Sequence, residues 1–304
     1  MVKPKKSQRL SLSKFREFNH ITLVNREQYL QQKAQRAAKN DDATNIRVSC
    51  PICWRKQSLC LCHHLKPFRP RCELVLLMHP KEGKKQRIGT GRLTKAVLEN
   101  SHLFIDENMD ENSGLANLLS DPTRHNVLLY PSRDPEYIDA PTLPQSWEKP
   151  LLEEKKILTF HILDATWPCA KKMMRLSKRL RSMPKVSFQG EYRSKFVIKH
   201  QPHEACLSTI ETAYVCYEGL KKMGLEKDLN EEHSNLLEML EALVQFQLNC
   251  ENDPNIPSSR GRRPKEKKDL THSRVREKKN RLFYWDLQKS EVGHSEKYHE
   301  QKKI

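Results

Sequence analysis

The stretch that decides the fold is Ile157-Leu158-Thr159-Phe160-His161-Ile162-Leu163-Asp164-Ala165-Thr166-Trp167. Its first seven residues are apolar almost without interruption and rich in branched and aromatic side chains. Such a run, with Lys156 at its start, reads as a strand buried on both faces, Lys156 to Leu163. It ends at a carboxylate, Asp164, and Pro168 follows at once. A basic, helix-like segment, Lys171 to Arg181, comes next. A carboxylate leaving a buried strand beside a basic surface is where chemistry on an anionic polymer would sit.

Working outward, the same apolar texture recurs upstream. Cys72 to Met78 predicts a first strand, Leu103 to Ile105 a second and Asn126 to Tyr130 a third. A basic loop, Lys81 to Arg87, and a helix, Arg92 to Glu99, lie between the first two. The Pro-rich segment 134–150 reads as a loop. Downstream, Val186 to Phe188 and Phe196 to Ile198 read as a strand pair with Gly190 in the turn. A helix starts near Ser208, with Ile210, Ala213, Tyr214, Tyr217 and Leu220 at helical spacing, and Gly224 is its stop. A last helix covers about Glu231 to Leu248. Apolar strands alternating with helices predict an α/β fold, a mainly parallel sheet with flanking helices. Ligands bind beyond the carboxyl ends of such strands. Three of those ends carry distinctive groups, His79-Pro80, Tyr130-Pro131-Ser132 and Asp164 to Trp167, which points to one pocket.

The chain has 304 residues, is 37% hydrophobic and carries a formal net charge of +17. One moderate core is within reach, but not for the whole length. Of the charge, +7 falls in residues 1–47 and +6 in residues 251–304. Such basic arms bind phosphate backbones without sequence preference, or serve only as solvated tails. A helix is legible from about Asn25 to Lys39, and an aromatic island, Leu282-Phe283-Tyr284-Trp285, interrupts the C-terminal tail. No run of about 18 apolar residues exists, so no membrane span is expected. The N-terminus lacks the apolar core of a secretory signal, which makes the cytoplasm the default.

Four of nine cysteines, Cys50, Cys53, Cys60 and Cys62, follow the pattern C-x2-C-x6-C-x-C. Without an export signal, disulfides are not expected. Four thiolates at this spacing suit a closed tetrahedral zinc site, structural rather than catalytic. His63 and His64 follow directly as substitutes for one thiolate. In the basic segment, Lys171, Lys172, Arg175, Lys178 and Arg179 share one helical face. That face is either solvated or a phosphate-contacting surface bordering the pocket. Ser208 and Glu211 fit a helix capping box, and the same helix start suits a ligand carboxylate. The chain therefore divides into a basic extension (1–46), a four-cysteine knuckle (47–66), a catalytic domain (67–250) and a basic tail (251–304).

In chain order these pieces resemble the DTW-domain family, the tRNA-uridine aminocarboxypropyltransferases. The matching residues are the two cysteine pairs, Leu77-Met78-His79-Pro80-Lys81-Glu82, Thr90-Gly91-Arg92-Leu93 and Leu128-Leu129-Tyr130-Pro131. They continue with Leu163-Asp164-Ala165-Thr166-Trp167, then Tyr192-Arg193 and Leu207 to Thr212. The resemblance covers about residues 47–245. Ile52 departs from it where an arginine often precedes the second cysteine.

The resemblance implies a SPOUT-like fold, of a class that includes knotted chains, with S-adenosylmethionine as donor. It implies transfer of the 3-amino-3-carboxypropyl group to N3 of a tRNA uridine and release of methylthioadenosine. Asp164 is expected as the base that accepts the N3 proton, or as the group that orients the uracil, with Trp167 beside it. Donor contacts are expected from His79, Thr90, Tyr130, Pro131, Thr166, Ser208, Thr209 and Glu211. Lys171, Lys172, Arg175 and Arg193 would hold tRNA. Two rivals use the same features: a SPOUT-type RNA methyltransferase, and a zinc-containing RNA- or ribosome-binding protein without catalysis. Oligomeric state is not legible.

Overall fold

In β1 (Glu73–Met78) side chains alternate between two cores. Leu74, Leu76 and Met78 enter one, and Val75 and Leu77 enter the other. That alternation, with every residue after Glu73 buried, is the mark of a strand covered on both faces. The computed structural model describes residues 50–85, 88–198 and 206–252, together with the isolated position 31. The expected helix from Asn25, the basic tail and its aromatic island lie outside these residues.

Six strands form one sheet in the order β2-β1-β5-β3-β6-β4. They are β1, β2 (Ser101–Ile105), β3 (Arg124–Leu129), β4 (Glu136–Tyr137), β5 (Ile157–Asp164) and β6 (Lys185–Ser187). Every pairing is parallel, so all carboxyl ends leave the same edge. β5, the opening stretch of sequence, lies between β1 and β3. The three strand ends with distinctive groups are therefore neighbours.

Helices cover both faces. α1 (Pro80–Lys85) and α2 (Gly91–Val97) follow β1, and α3 (Ser113–Leu119) follows β2. α4 (Gln145–Glu148) runs into a π-helical turn, Lys149–Glu153. α5 (Trp167–Leu176) and α6 (Lys178–Ser182) follow β5, and α7 (Thr209–Lys222) and α8 (Ser234–Asn252) complete the fold. The larger core joins β1, β3 and β5 to α2, α7 and α8. It also takes in Cys50, Cys53, Leu61, Cys62 and Leu65, so the knuckle shares the core of the sheet. The smaller core gathers Met109, Leu115, Leu118, Met173, Leu180 and Met183 on the opposite face.

Four expectations are corrected. Residues 196–198 form no strand, because both edges of β6 are already taken by β3 and β4. The segment 134–150 holds β4 and α4 rather than only a loop. Trp147 is fully buried there and donates its indole N–H to Glu136. The basic loop after His79 is helical as far as Lys85. Finally, 171–181 is not one helix. α5 already begins at Trp167 and stops at Ser177, whose hydroxyl accepts from the Met109 N–H at 2.7 Å. α6 restarts with the Lys178 and Arg179 N–H groups bound to the Asp110 carboxylate at 2.7 and 3.1 Å.

Candidate active site and metal centre

Asp164 is the last residue of β5 and is buried, at 7% exposure. Its backbone carbonyl accepts from the His79 N–H at 3.1 Å, tying the ends of β5 and β1 together. Its Oδ1 accepts from the Thr209 hydroxyl at 2.7 Å. Thr209 is the first residue of α7, so the carboxylate faces a helix N-terminus, where negative charge is favoured. Oδ2 lies against Gly91, the first residue of α2. A Cβ there would collide with Oδ2 and come within 2.7 Å of Asp164 Cγ. The carboxylate is thus held between the first turns of two helices at the centre of the sheet edge.

α7 is fixed by the capping box legible in the sequence. The Ser208 N–H and hydroxyl both donate to Glu211 Oε2 at 2.7 Å. Glu211 is fully buried and also accepts from the Ser194 hydroxyl at 2.8 Å and the Lys195 N–H at 2.5 Å. Burial raises its carboxyl pKa against those four donors. Its oxygens hold the loop before α7 in place, and a direct ligand contact is not needed to explain the residue. Arg193, half-buried, sits in that same loop.

On the β3 side, Tyr130 and Trp167 meet edge to face, with ring centroids 6.2 Å apart. Trp167 is 40% exposed, fractionally the most exposed Phe, Tyr or Trp among the described residues. Pro131 and Thr166 are exposed beside them, Thr166 as the N-cap of α5. On the β1 side, His79 is buried, its Nδ1 accepting from the Lys81 N–H at 3.1 Å. That leaves Nε2 as the donor to Glu107, at 3.0 Å. Glu107 also binds Lys172 at 2.8 Å. Hydrogen bonds from Lys172 and then His79 lower its carboxyl pKa. Lys171 and Arg175 are exposed on α5, whereas Arg179 turns back to the Asp110 carbonyl at 2.6 Å. Thr90 is buried as the N-cap of α2.

The four knuckle cysteines converge. Their sulfurs all lie within 4.8 Å of one another, with Cys50–Cys62 at 3.6 Å and Cys53–Cys60 at 3.7 Å. Four sulfurs about 2.3 Å from a central zinc would stand at such separations, so the donor set fits tetrahedral zinc. His63 and His64 are exposed and lie outside the group.

Three residues at the site went unassigned in the sequence. Gly91 is the cradle of Asp164. Glu107 links His79 to Lys172, and no signal in the chain marks it. Arg92 is buried and donates through Nη2 to the Glu82 and Gly83 carbonyls at 2.9 and 2.8 Å. An arginine between Gly91 and Leu93 at the start of a buried helix was its available signal.

A parallel α/β sheet with a carboxylate, two helix starts and an aromatic pair at one edge makes a candidate small-ligand site at strand ends. Beside it lie a four-cysteine cluster that could hold a metal ion and a basic helix. The DTW domain model matches residues 47–248, and the chain belongs to the DTW-domain family. It is 29% identical over 218 residues to tRNA-uridine aminocarboxypropyltransferase 2 of Drosophila melanogaster, covering 68% of this chain and 78% of that one. It is 26% identical to tRNA-uridine aminocarboxypropyltransferase A of Arabidopsis thaliana, covering 68% and 83%. For tRNA-uridine aminocarboxypropyltransferase 2 of Mus musculus the figures are 29%, 66% and 64%. No solved structure matches the chain significantly.

Proposed function

We propose that this chain is a tRNA-uridine aminocarboxypropyltransferase that uses S-adenosylmethionine as donor. The observation that carries the reading is Asp164, buried at the strand-end edge and held by Thr209 and Gly91, in a chain of this family. The site chemistry suits the donor. A sulfonium amino acid brings positive charge, which a buried carboxylate and the faces of Tyr130 and Trp167 favour. Tyr130, Pro131, Thr166 and Thr209 then face the donor, while His79, Thr90, Ser208 and Glu211 hold the walls.

In the reaction, uridine N3 gives up its proton and attacks the terminal methylene carbon of the aminocarboxypropyl group. The carbon–sulfur bond breaks, and its electron pair leaves with methylthioadenosine. Asp164 accepts the N3 proton or orients the uracil for that loss, and Trp167 stacks on the base. Lys171, Lys172, Arg175 and Arg193 take phosphates of the tRNA, a salt-sensitive contribution. Cys50, Cys53, Cys60 and Cys62 would hold a zinc ion, which would supply structure rather than a reacting group. The cytoplasm is the compartment we propose, on the strength of tRNA as substrate; among the described residues no helix is long and apolar enough to cross a membrane.

Purified protein with S-adenosylmethionine and unmodified tRNA tests the reading. Mass spectrometry should find aminocarboxypropyluridine and methylthioadenosine with the natural chain. Asp164→Ala should lower the rate by about 10²-fold or more, the usual weight of a positioned acid–base group. A methyl adduct on the RNA would identify a methyltransferase instead. No adduct of either kind would leave the non-catalytic RNA-binding alternative.

A further inference from the structure

The residue after Cys53 is Trp54, and its backbone lies in the left-handed region at φ 58. Bulky residues rarely adopt that conformation, which glycine takes without cost. The turn is closed by the Trp54 N–H to the Cys50 carbonyl at 2.9 Å and the Cys50 N–H to the Arg55 carbonyl at 2.7 Å. Closing this turn aims the indole at α2. The Arg92 guanidinium carbon stands 4.3 Å from the Trp54 ring centroid, a cation–π contact. Arg92 is 8% exposed, so the contact is largely desolvated and correspondingly strong.

Arg92 in turn reaches three parts of the candidate active site. Its two bonds to the Glu82 and Gly83 carbonyls fix α1, which begins directly after His79. Its neighbour Gly91 is the cradle of Asp164. Burial lowers its pKa to about 10, and the Asp164 charge is the leading influence in the opposite sense. A path therefore runs from the metal turn to the carboxylate: Trp54 contacts Arg92, Arg92 is bonded to Gly91, and Gly91 lies against Asp164.

We propose that Arg92 is a positioning residue through which the four-cysteine turn, by way of Trp54, sets the geometry of the Asp164 pocket. The inference rests on the function proposed above for that pocket. It gives the metal centre a task beyond stabilising its own loop. The closed turn holds the indole, the indole holds the guanidinium, and the guanidinium holds α1 against the start of α2.

The test uses the full chain with Trp54→Ala, Trp54→Phe, Arg92→Gln and the Trp54→Ala/Arg92→Gln pair. Metal content, donor binding by calorimetry and hydrogen exchange across residues 79–94 are measured together. Trp54→Ala should keep its metal, bind S-adenosylmethionine about tenfold more weakly and exchange about tenfold faster over 79–94. Losing a desolvated cation–π contact is worth about 30-fold, so tenfold is the share that reaches the pocket. Trp54→Phe, which keeps a ring face, should recover most of both losses. The double variant should be no worse than Arg92→Gln, because coupled residues are non-additive.

Loss of metal in Trp54→Ala would place the indole's role inside the metal site and overturn the proposal. So would unchanged binding and exchange, or additive effects in the double variant. If the natural chain binds no S-adenosylmethionine, the functional reading fails, and the exchange data alone still decide whether Trp54 acts through Arg92.

Discussion

Gly91 and Asp164 compete for one volume. Because Gly91 has no side chain, the carboxylate can lie against the backbone of α2 while Thr209 holds its other oxygen. Gly91→Ala should therefore damage activity out of proportion to stability. The added methyl meets side-chain atoms of Asp164 and no neighbouring backbone, so the displaced group is the carboxylate and not the helix. We expect kcat/KM to fall by about 10²-fold, the scale of a roughly 1 Å misplacement, with a thermal midpoint within a few degrees of the natural chain. A collapse in stability with activity per folded molecule intact would contradict this. Asp164 was legible because a carboxylate ending an apolar strand is conspicuous. Gly91 was not, because its importance depends on a contact 73 positions away in the sequence, between α2 and the end of β5.

The elements show a similar division. α7 was readable at both ends, because its start is a local Ser208–Glu211 box and its stop is Gly224 at φ 74. α5 and α6 were read as one helix because their amphipathic pattern runs through the break. What interrupts them is the Met109 N–H on Ser177 and the Asp110 carboxylate on α6, groups 68 and 69 positions away. Non-local bonds of this kind leave no periodic trace. The cysteine turn was legible from spacing alone, since thiolate geometry sets short loop lengths. Replacing Cys60 and Cys62 by serine should abolish metal binding, with metal analysis showing well under one zinc per chain. Undiminished zinc would remove the four-thiolate assignment.

For the whole molecule, the parallel sheet and its central strand were readable from unbroken apolar runs. β4 and α4 were missed, because a short edge strand and a Pro-flanked turn carry little pattern and are held by Glu136, Ser146 and Trp147. Burial of ionisable groups also gives the fold a pH limit. His161 lies fully buried in β5, its Nε2 bonded to Asn126 at 2.9 Å. Burial, then the charge of His102, lowers its pKa from 6.5 to about 3. The folded state keeps it neutral while the unfolded chain binds a proton, so this contribution is complete above 6.5 and is lost as pH falls toward 3.

Glu73 adds to the same trend at lower pH. Burial opposes its ionisation, yet bonds from His102 and Arg124 win and hold its pKa near 2. Its stabilisation is present above the ordinary value of 4.5 and lost as pH falls from there. Unfolding free energies from denaturant titrations at pH 7, 5.5 and 4.5 should decline progressively, by up to ~1.4 kcal/mol per pH unit for the one histidine. His161→Leu should flatten that decline, and an unchanged slope would remove His161 as its source.

The strand order has a consequence for how the chain is made. β1 and β3 are never neighbours in the finished sheet. Each waits for β5 to come between them, and β6 must then come between β3 and β4. A ribosome delivers β1, β2, β3 and β4 before the strand that joins them exists. Until residue 164 has emerged, the β1–β2 pair and β3 each present an open edge, and the backbone that will hold Asp164 has no place to lie. The core of this protein can only be assembled out of chain order, around a strand that arrives fifth.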